Sequence, residues 1–408
     1  MQGIAARKTD LRWMRAALHL ARRGHGVTSP NPMVGAVLVK NGKIIGRGWH
    51  HRAGLPHAEI EALQNARKLG HNPRGAMLCV TLEPCCTHGR TPPCTDAIIA
   101  AGIKRVVIGA TDPNPRHAGR GFTILRHAGI AVDWWGECPH EPLKPAASGS
   151  RGRSPHRQIA DDCARLNETF NHWIVHRTPF VTVKAAMTLD GKIATAGGES
   201  KWITGEKARA HGMELRRGSD AILVGINTIL ADNPGLTVRP VQSSKFKVQN
   251  HSLRRIILDS MARTPLNAKV VSDEFVKLTT IVVGKDAPKQ RVAALAKKVN
   301  VTVAPLKKSA IRNPQSAINL GWLLKKLGTE NVTSLLVEGG GEVNASFLLG
   351  GFAHRAAFFY APKILGGRDS RKAVAGEGAQ SLGEIIRLRD VEWRKLGEDL
   401  LLTGLVAR

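Results

Sequence analysis

Three side chains with metal-binding chemistry lie far apart in this chain and read as one group: His57, Cys85 and Cys94. One imidazole and two thiolates are a favoured donor set for Zn²⁺, and three protein donors leave a fourth position open. Using them together constrains the fold. His57 opens the helical stretch HAEIEALQNARKLG, which stops at Gly70. Cys85 and Cys94 fall where the strand AMLCVTL ends and the helix PCTDAIIAAG begins. Two helix starts and a strand end therefore have to meet.

The surrounding pattern is compatible with that. Thr9 and Asp10 predict a helix cap, with the helix running to Arg23 and stopped by Gly24. VGAVLVKNGKIIGRGW reads as two strands around Asn41-Gly42, a strong hairpin signal. KRVVIGA, GRGFTILRHAG and IAVDWW continue as strand, helix and strand. Such alternation predicts an α/β sheet with helices on both faces. From Gly136 to about Arg157 the pattern fails, and a Pro-, Gly-, Ser- and base-rich stretch reads as a linker. IADDCARLNETFNHWIVHR resumes helical spacing, and PFVTVKAAMTLDGKIA starts a second α/β unit. Its further strands are AILVG, RRIILD, TTIVVG, NVTVA, SLLVEGG and RAAFFYAPKIL; its helices are GEKARAHGMELRRG, APKQRVAALAKKV, SAINLGWLLKKLG and GEVNASFLLG. The two halves share no repeat. The expected organisation is a first domain over 1–147, a linker and connecting helix over 148–177, and a second domain over 178–408.

A chain of 408 residues is long enough for this, since one core rarely grows past ~250–300 residues. Lys and Arg number 60 against 32 Asp and Glu, a net charge of +28. Such a chain attracts anions, and phosphorylated metabolites or NADPH qualify as well as nucleic acid. Aromatics make up only 4%, with one Tyr, which argues against a base-stacking platform for single strands. No apolar run approaches the ~18 residues of a membrane span, and the N-terminus lacks a secretory pattern. Of six Cys, four fall within sixteen residues. A metal site in a reducing cytoplasm explains that better than a disulfide framework.

The chemistry sharpens at Glu59. An H-x-E followed by P-C and a further Cys is the signature of zinc deaminases, in which the Glu moves protons and does not bind the metal. This chain departs from the short spacing, because eight residues, CTHGRTPP, separate Cys85 from Cys94. Glu59 is then the general acid/base candidate. A closed structural site, completed by Cys86 or His88, is the competing reading. Cys79 reads as core, and Cys138 and Cys163 as free thiols. Asn31 within SPNP is placed to present its amide to a pyrimidine edge, or simply forms a turn. Arg90 and the bases of GATDPNPRHAGRG are candidate phosphate partners.

Together TLEPCCTHGRTPPC, SPNPMVGAVLV, GATDPNPRHAGRG and HAE resemble the deaminase half of the bifunctional riboflavin-biosynthesis deaminase–reductase family. The resemblance implies a cytidine-deaminase-like three-layer α/β/α domain, zinc on His57, Cys85 and Cys94, and Glu59 as proton donor. That family often has His where this chain has Thr87, just before His88. MTLDGKIA, ESKWIT, LRRGSDAILVGINTILADNPGLTVR and LLVEGGGEVNASFL resemble the reductase half, over about residues 178–405. That half implies a dihydrofolate-reductase-like α/β domain using NADPH. By the same resemblance Ser200, Arg216, Leu236, Arg239 and Glu338 match substrate positions. Ala186, Trp202, Thr228, Asp232, Ser260 and the Gly340–Phe347 turn, with Gly340 and Gly341, match cofactor positions.

Parts of the second half can be read without the family. VEGGGEVNASF puts a Gly run between a strand and a helix, where backbone N–H groups favour phosphate. It is not GxGxxG, so it carries no Rossmann claim. Arg216 and Arg239 suit a ribose phosphate, because a guanidinium binds phosphate bidentately. Glu338 suits the amines of a pyrimidine. Asp190 before Gly191 marks a turn, and Trp202 reads as core or as a flank for nicotinamide.

The expected function is a two-step enzyme: deamination of a diaminopyrimidinone ribosyl phosphate, then NADPH-dependent reduction of its ribosyl group to ribityl. The expected partner is this phosphorylated pyrimidine, with no nucleic acid and no membrane; the family implies a homo-oligomer. A nucleic-acid deaminase fused to an unrelated reductase and a zinc-stabilised nucleic-acid-binding protein are the alternatives. The long Cys spacing opposes the first; Glu59 and the scarce aromatics oppose the second.

Overall fold

The computed structural model describes residues 2–89, 91–135, 154–239, 253–305 and 318–407, with residues 2–9 described by backbone only. Two compact units divide the chain, Met1–Arg177 and Thr178–Arg408. Cys138 and Arg90, both singled out above, lie outside the described residues.

The first unit runs α1 (Gln2–Ala21), β1 (Gly35–Lys40), β2 (Lys43–Trp49), α2 (Ala58–Lys68), β3 (Met77–Val80), α3 (Cys94–Ala100), β4 (Arg105–Ile108), α4 (Arg120–His127), β5 (Ala131–Trp134), α5 (Pro155–Leu166) and α6 (Glu168–His176). The sheet order is β2-β1-β3-β4-β5. β1 pairs antiparallel with β2 and β3, and β3, β4 and β5 are parallel. The β1–β2 hairpin turns at Asn41 and Gly42, at φ 50° and 68°. Both lie in the left-handed region that a two-residue hairpin requires and that Asn-Gly tolerates.

Successive strand residues serve opposite faces. Leu38, Leu78 and Val106 pack with Ala62, Ile98 and Leu125 of α2, α3 and α4. Val37, Cys79 and Val107 pack with Met14, Leu18 and Trp13 of α1 and with Ile159 and Cys163 of α5. This is the three-layer α/β/α arrangement, and Cys79 and Cys163 are buried core thiols.

Some local expectations shift. α1 begins at Gln2, so Thr9 and Asp10 lie inside it and do not cap it. Asp10 is buried and takes both prongs of Arg105, at 3.2 and 2.7 Å, so a tertiary ion pair uses the carboxylate that local rules assign to a cap. The first of two connecting helices, α5, starts at Pro155, inside the stretch read as linker, where Ser154 caps it by accepting from Arg157 N–H at 3.3 Å. Asn167 ends α5, and its side chain leaves the helix to bond Met33 N–H and C=O at 2.7 and 2.9 Å.

The second unit runs β6 (Phe180–Thr188), β7 (Lys192–Ala194), α7 (Glu206–Arg217), β8 (Ala221–Gly225), α8 (Ile226–Asp232), β9 (Arg254–Leu258), α9 (Lys269–Ser272), β10 (Thr279–Gly284), α10 (Lys289–Ala296), β11 (Asn300–Ala304), α11 (Leu320–Thr329), β12 (Ser334–Val337), α12 (Gly341–Leu348), β13 (Arg355–Ala361), β14 (Arg371–Lys372), β15 (Leu388–Leu396) and β16 (Asp399–Val406). Its large sheet has the order β11-β10-β9-β8-β12-β6-β13-β16-β15, and β14 pairs with β7. Strands β11 through β13 are parallel, and β16 and β15 extend that sheet antiparallel. The C-terminal pair β15–β16 and the short helix α8 were not expected. The parallel strands are short apolar runs, as a sheet covered on both faces requires, and all their C-terminal ends lie along one edge.

Candidate active site

In the first unit the expected donors converge. His57 is the residue before α2, in extended conformation, and Cys94 is the first residue of α3. Helix N-termini favour negative charge, which suits a thiolate at Cys94. His57 Nδ1 lies 3.5 Å from Cys85 Sγ and 3.3 Å from Cys94 Sγ. The Cys94 N–H also points at Cys85 Sγ, at 3.3 Å. All three donor atoms fall within 4.8 Å of one another, and among the described residues theirs is the sole such group. A tetrahedral ion with bonds of about 2.0–2.3 Å holds its donors roughly 3.5 Å apart. The donor set and its spacing therefore fit zinc.

The group's electrostatics agree. Hydrogen bonds from the Cys94 side chain, the His57 ring and the Cys94 N–H hold the Cys85 thiol down at about 4 despite burial. Cys94, which shares that hydrogen bond, is raised. Glu59 is 3% exposed. Burial pushes its carboxyl up to about 7, against the pull of His57.

Cys86 does not join the group: its Sγ lies 3.4 Å from His117 Nδ1. His88 is exposed and is not in the donor group. The closed four-ligand reading has no fourth donor among the described residues. Asn31 makes a turn, with its N–H on Thr28 C=O at 2.9 Å. Its amide also reaches His50 Nε2 at 3.1 Å, while His50 Nδ1 lies 3.1 Å from Pro56 C=O. A carbonyl only accepts, so Nδ1 carries the proton and Nε2 accepts from Asn31. Among the described residues the Asn31 side-chain oxygen has no partner, which leaves it able to take a ligand. His50 stands edge-on to His57, centroids 5.2 Å apart.

Sequence reasoning missed His50 and Glu83. The Glu83 carboxylate accepts from the N–H groups of Asp112, Gly119 and Gly121 at 3.2, 3.0 and 3.0 Å. It thereby ties the GATDPNPRHAGRG loop to the segment that carries Cys85. The signal for Glu83 was its place before Pro84-Cys85. Asp112, in that loop, is pushed up to about 7 by burial.

In the second unit the expected positions cluster beyond the C-terminal ends of the parallel strands, where ligands of open α/β sheets bind. Ala186 lies near the end of β6, Thr228 and Asp232 on α8 after β8, Ser260 after β9, and Gly340 before α12. Added side-chain atoms at Gly340 would meet open space, whereas at Gly341 they would strike Lys372 C=O. The helix start is thus sealed behind and open in front, a cradle that fits a phosphate of NADPH. Trp202 is 63% exposed, with the Arg209 guanidinium 4.7 Å over its ring, so it is not core. Asp190 accepts from Thr188 Oγ1 at 2.6 Å and from the N–H groups of Leu365 and Gly366 at 3.1 and 2.8 Å. It braces the loop after β13.

Arg216 and Glu338 meet, but in each other's company. Arg216 Nε and Nη2 reach the two Glu338 oxygens at 2.8 and 2.9 Å, and Nη1 reaches Thr237 C=O at 3.0 Å. Lys184, missed by sequence reasoning, adds an ammonium 3.5 Å from Glu338. It shares a face of β6 with Ala186. Arg216 therefore supports the loop carrying Leu236 and Arg239 more than it offers a free fork. Leu236 is buried with φ 51°, and Arg239 is exposed with no side-chain partner among the described residues. Ser200 is half-buried.

The comparisons with known proteins follow this division. The cytidine and deoxycytidylate deaminase zinc-binding region matches residues 7–110, and the RibD C-terminal domain matches residues 179–402. The riboflavin biosynthesis protein RibD of Aquifex aeolicus is 43% identical over 396 residues, covering 97% of this chain and 98% of that protein. The RibD of Actinobacillus pleuropneumoniae is 41% identical over 398 residues, covering 98% and 96%. The structure of Acinetobacter baumannii RibD superposes with a TM-score of 0.79 at 32% identity, covering 98% of this chain and 99% of that one. Fold and site define a bifunctional enzyme, a zinc-dependent deaminase domain joined to a dihydrofolate-reductase-like reductase domain. The chain belongs to the RibD family of riboflavin biosynthesis proteins.

Proposed function

We propose that the first unit hydrolyses the ring amine of 2,5-diamino-6-(ribosylamino)pyrimidin-4-one 5′-phosphate. The second then reduces the ribosyl group to ribityl, giving 5-amino-6-(ribitylamino)uracil 5′-phosphate. The observation that carries the reading is the buried Glu59 two residues from the His57–Cys85–Cys94 group, on a chain whose second half presents an open phosphate cradle. The structure of a Thermotoga maritima protein described as a diaminohydroxyphosphoribosylaminopyrimidine deaminase and 5-amino-6-(5-phosphoribosylamino)uracil reductase supports it, at 33% identity and a TM-score of 0.75.

In the deaminase site His57 Nδ1, Cys85 and Cys94 would hold zinc. A bound zinc supplies the Lewis acidity that makes water a nucleophile near neutral pH. Glu59, whose carboxyl is poised near 7 by burial, takes the proton from the attacking water. It passes protons to the ring nitrogen and to the departing ammonia. Asn31, held by His50, directs its oxygen at the pyrimidine edge.

In the reductase site Ala186, Trp202, Thr228, Asp232, Ser260, Gly340 and Gly341 border NADPH, which supplies the hydride when bound. Ser200, Leu236 and Glu338 border the substrate, Arg239 takes its phosphate, and Arg216 supports the substrate loop. The protein's work here is orientation and exclusion of water. The proposed domain assignment is deaminase over 1–147, a linker and connecting helix over 148–177, and reductase over 178–408. The proposed setting is cytoplasmic, with no nucleic-acid partner. Among the described residues no helix is long and apolar enough to cross a membrane. The proposed homo-oligomer is supported by the exposed apolar side chains Trp393 and Val391 on the edge strand β15.

Ammonia release and NADPH oxidation, measured on the phosphorylated pyrimidine and on a single-stranded oligonucleotide, test the reading. Turnover of the pyrimidine alone is expected; deamination of the oligonucleotide would reject it.

A further inference from the structure

The loop that carries Ser200 and Trp202, residues 195–205 between β7 and α7, has no regular structure. It is anchored near both ends. Thr195 N–H donates to Glu199 C=O at 3.0 Å, and Thr195 Oγ1 accepts from Glu199 N–H at 3.1 Å. Gly205 N–H donates to the buried Asp399 carboxylate at 2.7 Å, and Arg209 donates to Thr204 C=O at 2.7 Å. Between these anchors, one side chain from outside the loop hydrogen-bonds residues 200–203 among the described residues. Lys363 Nζ donates to Trp202 C=O at 3.1 Å and to Ile203 C=O at 2.9 Å.

Lys363 is itself fixed. Its N–H donates to Ala361 C=O, and its C=O accepts from Leu189 N–H, both at 2.7 Å. The Asp190 carboxylate holds the next turn through the N–H groups of Leu365 and Gly366. Ala361 ends β13 and Leu189 follows β6, and these two strands pair in the large sheet. The Lys363 backbone therefore moves with the sheet, and its ammonium ties the loop to it. Two consecutive carbonyls on one ammonium fix two peptide groups, which sets the direction in which the Trp202 side chain leaves the chain. Core packing does not place the indole, because Trp202 is largely exposed; its other support is the Arg209 guanidinium over the ring.

We propose that Lys363 is a positioning residue of the reductase: it holds the Trp202 backbone so that the indole stands ready for the dinucleotide. The proposal rests on the reading of the second unit as an NADPH-dependent reductase with Trp202 at its cofactor. A loop ordered in advance does not have to be ordered at binding, and the affinity gains by that difference. Hydrogen bonds from a charged donor are the strong kind, so one ammonium suffices to hold the segment.

Calorimetric titration of the full chain with NADPH tests it without turnover. Lys363→Met should weaken NADPH by about tenfold. Lys363→Arg should recover part of the loss, because a guanidinium still donates to carbonyls. Lys363 is exposed, so the fold should survive the change, and deamination should be untouched. Trp202→Ala should weaken NADPH as well. If Lys363 acts through Trp202, Lys363→Met should add little in the Trp202→Ala background. An equal further loss in that background overturns the proposal and makes Lys363 a direct contact of the dinucleotide. Unchanged affinity in Lys363→Met, or in Trp202→Ala, overturns it too. If the unsubstituted protein fails to bind NADPH, the reductase reading fails and the proposal with it, whereas binding that Lys363→Met leaves unchanged sinks the proposal alone.

Discussion

Glu338 receives Arg216 as a two-pronged fork, Nε at 2.8 Å and Nη2 at 2.9 Å, from a residue 122 positions away. Burial would raise the Glu338 carboxyl, but the Arg216 guanidinium and the Lys184 ammonium bring it down to about 2. Arg216 also holds Thr237 C=O, so the pair ties the end of β12 to the loop that carries Leu236.

The pair gives the second unit an acid-sensitive element. A carboxylate depressed in the folded state contributes stability above its ordinary pKa of 4.5 and loses it as pH falls toward about 2. The contribution is on the order of 3 kcal/mol. Glu338→Gln should remove that pH dependence. It should also destabilise at neutral pH by about 3–5 kcal/mol, because Arg216 and Lys184 then lack their counter-charge. Chemical unfolding of both proteins at several pH values between 3 and 7 checks this; parallel curves would refute it.

Glu59→Gln should keep zinc and lose deamination by at least ~10²–10⁴ in rate. Reduction of supplied deaminated substrate should persist, because the two sites use separate residues. Metal analysis and the two assays run on one preparation decide the matter; normal deamination would remove Glu59 from its role.

Cys85→Ser and Cys94→Ser should each lower zinc content strongly, since a three-donor site tolerates no loss of a thiolate. Cys86→Ser should not, because the Cys86 thiol contacts His117 instead. Equal zinc loss in all three would point to a closed structural site.

Arg239→Ala should raise the substrate KM roughly ten- to a hundredfold, the equivalent of a charge-assisted bond of ~1.5–3 kcal/mol. Stability should hold, because the side chain is exposed and has no hydrogen-bond or ion-pair partner among the described residues. Steady-state kinetics with each substrate varied in turn separate the cases. A rise confined to NADPH would contradict the assignment.

The local features were legible from sequence because their causes are local. Asn41-Gly42 dictates its hairpin through backbone sterics that no distant residue changes. The His57-x-Glu59 pair, and Cys94 after Pro92-Pro93, announce helix starts, and the alternation of apolar runs announces two α/β units. The resemblance supplied the positions around the reductase cofactor. What misled was also local: Thr9 and Asp10 look like a cap, yet Asp10 answers to Arg105, 95 positions on.

By itself the sequence determined the element types, the donor chemistry of His57, Cys85 and Cys94, and the proton-moving role open to Glu59. Only the tertiary structure decided which charges are spent and which are free. Arg216 is consumed by Glu338, Glu83 by the N–H groups of residues 112, 119 and 121, and Asp259 by its own turn, while Arg239 and Arg263 stay unneutralised. The reason is range. Helix, strand and turn preferences act over a few residues, whereas ion pairs and desolvation depend on which distant groups packing brings within about 4 Å.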